Sequence, residues 1–266
     1  MNLGPPHHQS KATLTVLGSG SGMPQSERNC SGYLIDVDGQ LTLLDCGSGI
    51  ARAVQASGFR LTELDRVVIS HTHPDHVVDL PLLIQHCHLS GKTTPLDIFV
   101  PEEFVAPLNQ IIRAMYVIPE RFKFEVRIQG YSEGTIIEHP MQIKAIANSH
   151  FKSYAADIER LELPNRMQAH SLKVNLAGRS VFYSGDLGNF DDVSSVMSDT
   201  DLVILETSHV DLVKMGEFVG KHPSTQFILT HITPGESIQP LNDLVRLFTN
   251  VQIAKDGMRV DVGGRT

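Results

Sequence analysis

The sequence predicts an α/β (α+β) protein in which two mixed sheets are covered by helices on their outer faces. Short runs rich in β-branched and apolar residues alternate with turns and with segments of helical spacing along the chain. No linker, compositional shift or fixed-period repeat divides the 266 residues. A chain of this length can bury roughly three-quarters of its unfolded surface. We therefore expect a loose leader over residues 1–11 and a single domain over residues 12–266.

The first half of the chain predicts strands and helices in close alternation. A strand at 13–18 precedes a hairpin of strands 31–37 and 40–46, which turns at Asp38-Gly39, a pair favoured in tight hairpin turns. The elements that follow are a helix at 48–58, a strand at 65–71, a helix at 76–91 that contains Pro81, a strand at 97–101 and a helix at 102–116.

The second half repeats this alternation with more strands than helices. Its elements are strands at 122–128 and 141–148, a hairpin over 171–186 that turns at Ala177-Gly178, strands at 201–208 and 225–231, a helix at 236–250 and a closing pair of strands within 251–262.

The charge balance and the cysteines limit the classes of function. Thirty acidic residues outnumber 22 lysines and arginines, which gives a net charge of −8 and argues against a strong nucleic-acid-binding surface. The three cysteines are odd in number and form no CxxC pair, so neither a disulfide framework nor a cysteine-bound zinc is expected. No apolar run approaches the ~20 residues of a membrane span. These features predict a cytoplasmic protein that makes no membrane contact.

A cluster of potential metal ligands, HTHPDH, follows the predicted strand at 65–71. In an extended loop His71 and His73 point the same way, so both imidazoles can bind one metal ion. Asp75 and His76 lie beyond a proline that sets the turn, where they are placed for a second metal ion. Zn²⁺ suits this set of nitrogen and oxygen ligands, with Mn²⁺ or Fe as alternatives.

Three further ligand-type residues stand at the ends of later predicted strands. AIANSH ends at His150, SVFYSGD ends at Asp186 and FILTH ends at His231. A single histidine at a strand end is more often only a solvated polar residue. Three such residues in this order after HTHPDH predict a metal site at one edge of the sheets.

These elements together resemble the metallo-β-lactamase-fold hydrolases. LLDCGSG at 43–49 is similar to the first motif of that family, HTHPDH to the second, and His150, Asp186 and His231 to the third, fourth and fifth. The resemblance extends from 15–24 to 256–262, which is nearly the whole chain. It implies a four-layer αββα sandwich with a dinuclear metal site between the sheets.

The resemblance also implies roles for individual residues. One metal ion would be held by His71, His73 and His150, and the other by Asp75, His76 and His231. Asp186 would bridge the two ions, and Asp45 in LLDCG would orient a ligand histidine from behind. The same resemblance is compatible with a homodimer.

Several short segments are most similar to the ribonuclease Z and phosphodiesterase branch of this family. They are VLGSGSGMP near the start, SGD around Asp186 and LTH around His231. The chain also resembles the small phosphodiesterase of the carbon–phosphorus lyase pathway, through a strand that ends at Glu206 and is followed by Ser208-His209. This similarity implies that His209 donates a proton to the leaving group. The other interpretation is that His209 only caps the following helix.

The predicted activity is hydrolysis of a small or nucleotidic phosphodiester by a dinuclear metal site. Two adjacent divalent ions can share a hydroxide at neutral pH, and Asp75 would hydrogen-bond to it. The alternatives are cleavage of tRNA 3′ ends or other RNA, a lactonase or thioesterase activity, and a binding scaffold without catalysis.

Two departures from ribonuclease Z enzymes favour a small substrate over tRNA. Nothing in the sequence resembles their long glycine- and proline-rich arm. Their His-Ser-Thr motif lies well upstream of the last metal ligand, whereas here His222-Pro223-Ser224-Thr225 begins only nine residues before His231.

Overall fold

The computed structural model describes residues 11–176, 178–192, 194–197, 199–235 and 238–263. The predicted leader lies outside these residues except for Lys11, and so does Ala177 of the predicted second turn. The strands are β1 (Ala12–Gly18), β2 (Gly32–Val37), β3 (Gln40–Leu44), β4 (Leu64–Val68), β5 (Leu96–Pro101), β6 (Val126–Tyr131), β7 (Ile136–Ile137), β8 (Gln142–Ala147), β9 (His170–Leu176), β10 (Arg179–Tyr183), β11 (Leu202–Glu206), β12 (Gln226–Thr230), β13 (Val251–Ile253) and β14 (Arg259–Asp261).

The strands form two mixed sheets, and the helices connect them. The first sheet has the order β14-β1-β2-β3-β4-β5-β6 and the second the order β13-β12-β11-β10-β9-β8-β7. The helices are α1 (Ile50–Ala56), α2 (Pro74–Val77), α3 (Leu80–Leu89), α4 (Val105–Ala114), α5 (Ala155–Arg160), α6 (Ser194–Met197), α7 (Leu212–Lys221) and α8 (Gln239–Leu247). Among the described residues, no helix is both long and apolar enough to cross a membrane.

Three apolar clusters separate four layers of structure. The central cluster lies between the sheets, where Val16 and Leu44 of the first sheet meet Leu172 and Ile204 of the second. A second cluster packs α1, α3 and α4 on the outer face of the first sheet. A third packs α6, α7 and α8 on the outer face of the second sheet. The predicted αββα arrangement therefore has a core at each of its three layer boundaries.

Strand β11 shows how the alternation of side chains builds this arrangement. Leu202 and Ile204 point into the cluster between the sheets, while Val203 and Leu205 point into the outer cluster beneath the helices. Successive side chains of a strand face opposite sides of a sheet. A strand covered on both sides is therefore apolar on both faces, which is why β11 is a continuous apolar run from Leu202 to Leu205 before it ends at Glu206.

The predicted elements are present. Two of them differ from the prediction in extent, and the closing strands differ in their pairing. The predicted helix at 76–91 is two helices, because Pro81 lacks an N–H and fits the first turn of α3 rather than a helix interior. The strand predicted at 122–128 begins only at Val126, after a single 3₁₀ turn over Pro119–Arg121. The closing strands do not pair with each other, since β13 joins β12 in the second sheet and β14 joins β1 in the first.

Several strands end at the same edge of the sandwich, and this edge carries the polar loops. Strands β3, β4 and β5 are parallel in the first sheet, and β10, β11 and β12 are parallel in the second. At this edge Gly20 and Ile232 form a bridge that joins the two sheets directly. The loops after β4, β8, β10, β11 and β12 therefore converge on one site.

Candidate metal centre

The HTHPDH loop leaves the first sheet and immediately starts a short helix. His71 is the third residue after the end of β4, and Pro74 begins α2. The missing N–H of proline costs nothing at the first helical position. As a result Asp75 and His76 lie on the helical turn, whereas His71 and His73 lie in the loop before it. The four potential ligands of this segment therefore approach the centre partly from a loop and partly from a helix.

The second sheet supplies the remaining predicted ligands from loops at three strand ends. His150 opens a 3₁₀ turn after β8, Asp186 follows β10 and His231 follows β12. The structure therefore brings all seven sequence-predicted ligands together. In each of two groups, one ligand atom from every member lies within 4.8 Å of the others. The groups are His71, His73, His150 and Asp186, and Asp75, His76, Asp186 and His231.

Asp186 is the residue that the two groups share. Its Oδ2 lies 3.8 Å from Nε2 of His71 and of His150 and 3.4 Å from Nε2 of His231. Its Oδ1 lies 3.2 Å from Nε2 of His76 without forming a hydrogen bond. Asp186 thus stands between the two groups, with Oδ2 near members of both and Oδ1 near His76.

Buried polar atoms at the centre lack hydrogen-bond partners. They are Nε2 of His71, Nε2 of His76 and Oδ1 of Asp186. Leaving such atoms unpaired in a protein interior is costly, and native structures rarely do so without a ligand or a function. Imidazole nitrogens and carboxylate oxygens are the donors that zinc and similar divalent ions bind. The residues present therefore fit a pair of metal ions.

Four of the imidazoles are oriented from outside the centre. In each, Nδ1 pairs with an outer atom and Nε2 is directed inward, the usual arrangement of metal-binding histidines. The partners are Oγ of Ser70 for His71 at 3.1 Å, Oδ2 of Asp45 for His76 at 2.7 Å, the carbonyl oxygen of Leu187 for His150 at 3.4 Å and Oγ of Ser208 for His231 at 3.3 Å.

The electrostatic environment keeps the histidines of one group neutral. Burial lowers the pKa of the His71 imidazole well below its usual range, and the neighbouring His76 lowers it further. Burial also lowers the pKa of His150 to about 4. Only a neutral imidazole offers a nitrogen lone pair to a metal ion. The group is therefore in the form that binds metal at neutral pH.

Asp45 holds His76 through a network that is completely buried. Its Oδ1 accepts the backbone N–H of Ser70 at 2.6 Å, and its Oδ2 accepts the hydroxyls of Ser70 at 2.7 Å and Tyr183 at 2.5 Å. The structure thus places Asp45 behind His76, one of the predicted ligands. Sequence reasoning missed Tyr183, although strand alternation turns it, with Val181, toward the space between the sheets.

The glycine of LLDCG permits a close approach between two loops. A Cβ at Gly47 would lie 1.9 Å from the carbonyl oxygen of Asp75. The adjacent N–H of Cys46 donates to the carbonyl oxygen of His76 at 2.8 Å. Only a residue without a side chain lets the first motif dock on HTHPDH in this way.

His209 lies at the opening of the site, above a buried carboxylate. Oε2 of Glu206 accepts the backbone N–H groups of Ser208 at 2.7 Å and His209 at 2.9 Å, and Oε1 lies 3.4 Å from Nδ1 of His209. The Glu206 carboxylate, as the acceptor of a hydrogen bond from His209, raises the pKa of that imidazole. Glu206, His209 and His231 also form a third group with ligand-type atoms within 4.8 Å of one another. His209 is therefore fixed beside the two metal-binding groups.

His222-Pro223-Ser224-Thr225 does not reach this site. The segment precedes β12, whereas the metal-binding edge lies after the other end of that strand. Nδ1 of His222 pairs with the carbonyl oxygen of Phe218 at 2.7 Å, at the end of α7. This short motif therefore serves the local structure.

Comparisons with known proteins agree with the architecture. The family model described as "Anti-Pycsar protein Apyc1" matches residues 12–214. A ribonuclease Z of Methanosarcina mazei is 26% identical over an alignment that covers 94% of this chain and 97% of the relative. The metallo-β-lactamase fold protein YhfI of Bacillus subtilis superposes with a TM-score of 0.75 at 19% identity, over 94% of this chain and 99% of its own. A diphosphatase from the PhnP family superposes with a TM-score of 0.69 at 18% identity, over 94% and 97%. The predicted metallo-β-lactamase fold is confirmed.

Proposed function

Because the chain belongs to the family described as Anti-Pycsar protein Apyc1, with the fold and ligand groups described above, we propose that it is a metal-dependent phosphodiesterase. It hydrolyses a small or nucleotidic phosphodiester at a dinuclear site. The observation that carries this proposal is the pair of ligand groups that share Asp186. Inert members of such a fold would have no reason to keep two complete groups in which buried atoms of His71, His76 and Asp186 lack partners.

The ligand groups divide the site into two metal positions. His71, His73 and His150 would hold one ion, and Asp75, His76 and His231 would hold the other, with Asp186 shared by both groups. Zn²⁺ is the ion that this donor set favours, with Mn²⁺ or Fe as alternatives. When bound, a pair of divalent ions polarises a phosphoryl oxygen and lowers the pKa of a shared water.

Asp75 and His209 are the residues that handle protons during hydrolysis. Asp75 lies at the mouth of the site with its Oδ2 3.2 Å from Nε2 of His231. Its carboxylate accepts a hydrogen bond from the attacking water and orients it. As the bond from water oxygen to phosphorus forms and the ester bond breaks, the water loses a proton to solvent and His209 gives its proton to the departing oxygen. Glu206 acts through His209, by fixing the backbone that carries it.

Cleavage of RNA is the second candidate function. It is favoured by the similarity to a ribonuclease Z over 94% of the chain. The position of His222 at the far end of β12 and the net charge of −8 argue for the smaller substrate. Short RNAs and small phosphodiesters therefore belong in the same substrate screen.

Metal removal and restoration test the proposed activity. We expect purified protein with Zn²⁺ or Mn²⁺ to hydrolyse bis(p-nitrophenyl) phosphate, and chelation to remove the activity in proportion to the metal lost. Readdition of either ion should restore turnover. If protein that holds two ions per chain hydrolyses no phosphodiester, lactones and thioesters become the substrates to examine.

Substitution of Asp45 tests the outer support of the metal centre. In Asp45→Asn, the carboxylate that accepts from His76, Ser70 and Tyr183 becomes an amide. We expect metal affinity to fall about 10- to 100-fold, measured by competition with a chromogenic chelator. Asp36→Asn changes a carboxylate near the end of β2 that accepts the backbone N–H of Gly39, and it serves as the control. Equal affinities in both variants would show that Asp45 does not orient His76.

A further inference from the structure

His71 and His76 are the two most deeply buried of the predicted ligand histidines. Their exposed fractions are 1% and 0%, and Nε2 of each lies at the centre without a hydrogen-bond partner. The two residues belong to different ligand groups. A neutral imidazole carries one proton, on either ring nitrogen, and only the nitrogen without the proton can bind a metal ion. Both side chains must therefore keep the proton on Nδ1, away from the centre.

A single carboxylate, that of Asp45, lies behind both imidazoles. Its Oδ2 lies 2.7 Å from Nδ1 of His76 and accepts a hydrogen bond from it directly. The same oxygen lies 2.7 Å from Oγ of Ser70, and this Oγ lies 3.1 Å from Nδ1 of His71. We call this set of hydrogen bonds, from His71 through Ser70 and Asp45 to His76, the buried link. It connects one histidine of each ligand group.

The donors around Asp45 determine the direction of the bonds in the buried link. An ionised carboxylate can only accept. The bonds from the hydroxyls of Ser70 at 2.7 Å and Tyr183 at 2.5 Å have the lengths of hydroxyl-to-carboxylate hydrogen bonds. Because Ser70 gives its single hydroxyl proton to Asp45, its oxygen can only accept from His71. Nδ1 of His71 then carries the proton, and Nε2 keeps its lone pair for a metal ion.

The buried link is closed to solvent and held in place by the backbone. Asp45 and Ser70 are completely buried. The backbone N–H of Ser70 donates to Oδ1 of Asp45 at 2.6 Å, which fixes the serine against the carboxylate. A Cβ on Gly185 would lie 3.3 Å from Oγ of Ser70, so the loop that carries Asp186 packs closely against the hydroxyl. The protein itself therefore sets the hydrogen bond of His71 Nδ1.

We propose that Ser70 is a positioning residue that extends the support given by Asp45 to His71. One buried carboxylate then sets the proton position in one histidine of each ligand group. The proposal rests on the proposed dinuclear site and not on the identity of the ester hydrolysed there. It predicts different effects for two variants. Asp45→Asn disturbs both metal positions, whereas Ser70→Ala keeps the bond between Asp45 and His76 and disturbs only the position that includes His71.

The imidazole tautomers of the metal-free full chain test the buried link directly. Long-range proton–nitrogen NMR spectra show which nitrogen of an imidazole carries the proton, and the signals of His71 are those that His71→Asn lacks. We expect the proton on Nδ1 in the native protein. In Ser70→Ala it should move toward Nε2, where Oδ2 of Asp186, 3.8 Å away, is the nearest carboxylate oxygen. A native His71 with its proton on Nε2, or an unchanged tautomer in Ser70→Ala, would overturn the proposal.

Titration with Zn²⁺ against a chromogenic chelator measures the affinity of each ion. We expect Ser70→Ala to weaken one ion about 10- to 100-fold and to leave the other within about twofold of the native value. Asp45→Asn should weaken both ions. Since Ser70 touches no reacting atom, excess Zn²⁺ should restore the native kcat in Ser70→Ala.

Thr225→Val is the matched control for the loss of a buried hydroxyl. Oγ1 of Thr225 donates to the carbonyl oxygen of Thr200 at 2.8 Å, at the other end of β12 from His231. This variant should keep both native affinities. Native affinities in Ser70→Ala, or equal weakening of both ions, would overturn the buried link while the dinuclear site stands. A native protein that binds no Zn²⁺ would overturn both.

Discussion

Asp186→Asn is expected to lower phosphodiester hydrolysis by at least about 10⁴-fold. Asp186 is the residue common to both ligand groups, and its oxygens lie 3.2–3.8 Å from Nε2 of four histidines. An amide has one oxygen and no charge, so it cannot hold an ion on each side. A dinuclear site contributes several kcal/mol of transition-state stabilisation, and each 1.36 kcal/mol corresponds to a factor of ten in rate.

The measurement is kcat for bis(p-nitrophenyl) phosphate together with the number of metal ions per chain. We expect Asp186→Asn to bind at most one ion tightly. Asp191→Asn makes the same change at an exposed carboxylate that pairs with Lys214, and it should match the native protein. An Asp186→Asn protein that binds two ions and turns over at half the native rate would refute the shared-ligand geometry.

His209→Gln is expected to separate substrates by the basicity of their leaving groups. An alkoxide needs a proton as it departs, whereas p-nitrophenolate leaves without one. Removing a general acid typically costs 10²- to 10⁴-fold. We therefore expect a loss of about this size with the methyl ester of thymidine 5′-monophosphate and a small change with its p-nitrophenyl ester. The retained group is the same in both substrates.

The control for this experiment is His86→Gln, a half-buried histidine on the outer helix α3. It should leave both activities and the metal content unchanged. Loss of metal in His209→Gln would instead indicate that His209 is a metal ligand, in keeping with its position near Glu206 and His231. Equal losses with the two esters would contradict proton donation.

The parts of the fold that local sequence determines were predictable. The turn at Asp38-Gly39 has φ angles of +51° and +88°, as a tight hairpin of such a pair requires. β11 could be read as a strand covered on both sides from its apolar run alone. The pairing of His71 with His73 followed from their spacing, but the addition of Asp186 followed from resemblance, because strand-end residues can be grouped only when the order of strands is known.

The parts that depend on distant contacts were not predictable in the same way. Val251–Ile253 and Arg259–Asp261 are adjacent in sequence and both read as strands, yet they pair with different sheets. Nothing local in these segments specifies the partner. Tyr183 looks like an ordinary core residue until Asp45 is placed 2.5 Å from its hydroxyl.

The buried link had no signal in the sequence either. Ser70 lies inside the strand predicted at 65–71, where it looks like an ordinary polar residue before HTHPDH. Only the tertiary structure places Oδ2 of Asp45 2.7 Å from its hydroxyl oxygen. No local pattern could therefore have predicted that Ser70 connects this carboxylate to His71.

Because the predicted ligands come from both sheets, we expect the protein's stability to depend on its supply of metal. HTHPDH extends from the first sheet, and His150, Asp186 and His231 extend from the second. Each bound ion is then a cross-link across the sandwich that unfolding must break. An ion at a hundred times its Kd adds about 2.7 kcal/mol to the free energy of unfolding. We therefore expect the unfolding temperature to fall when metal is removed and to recover when it is restored.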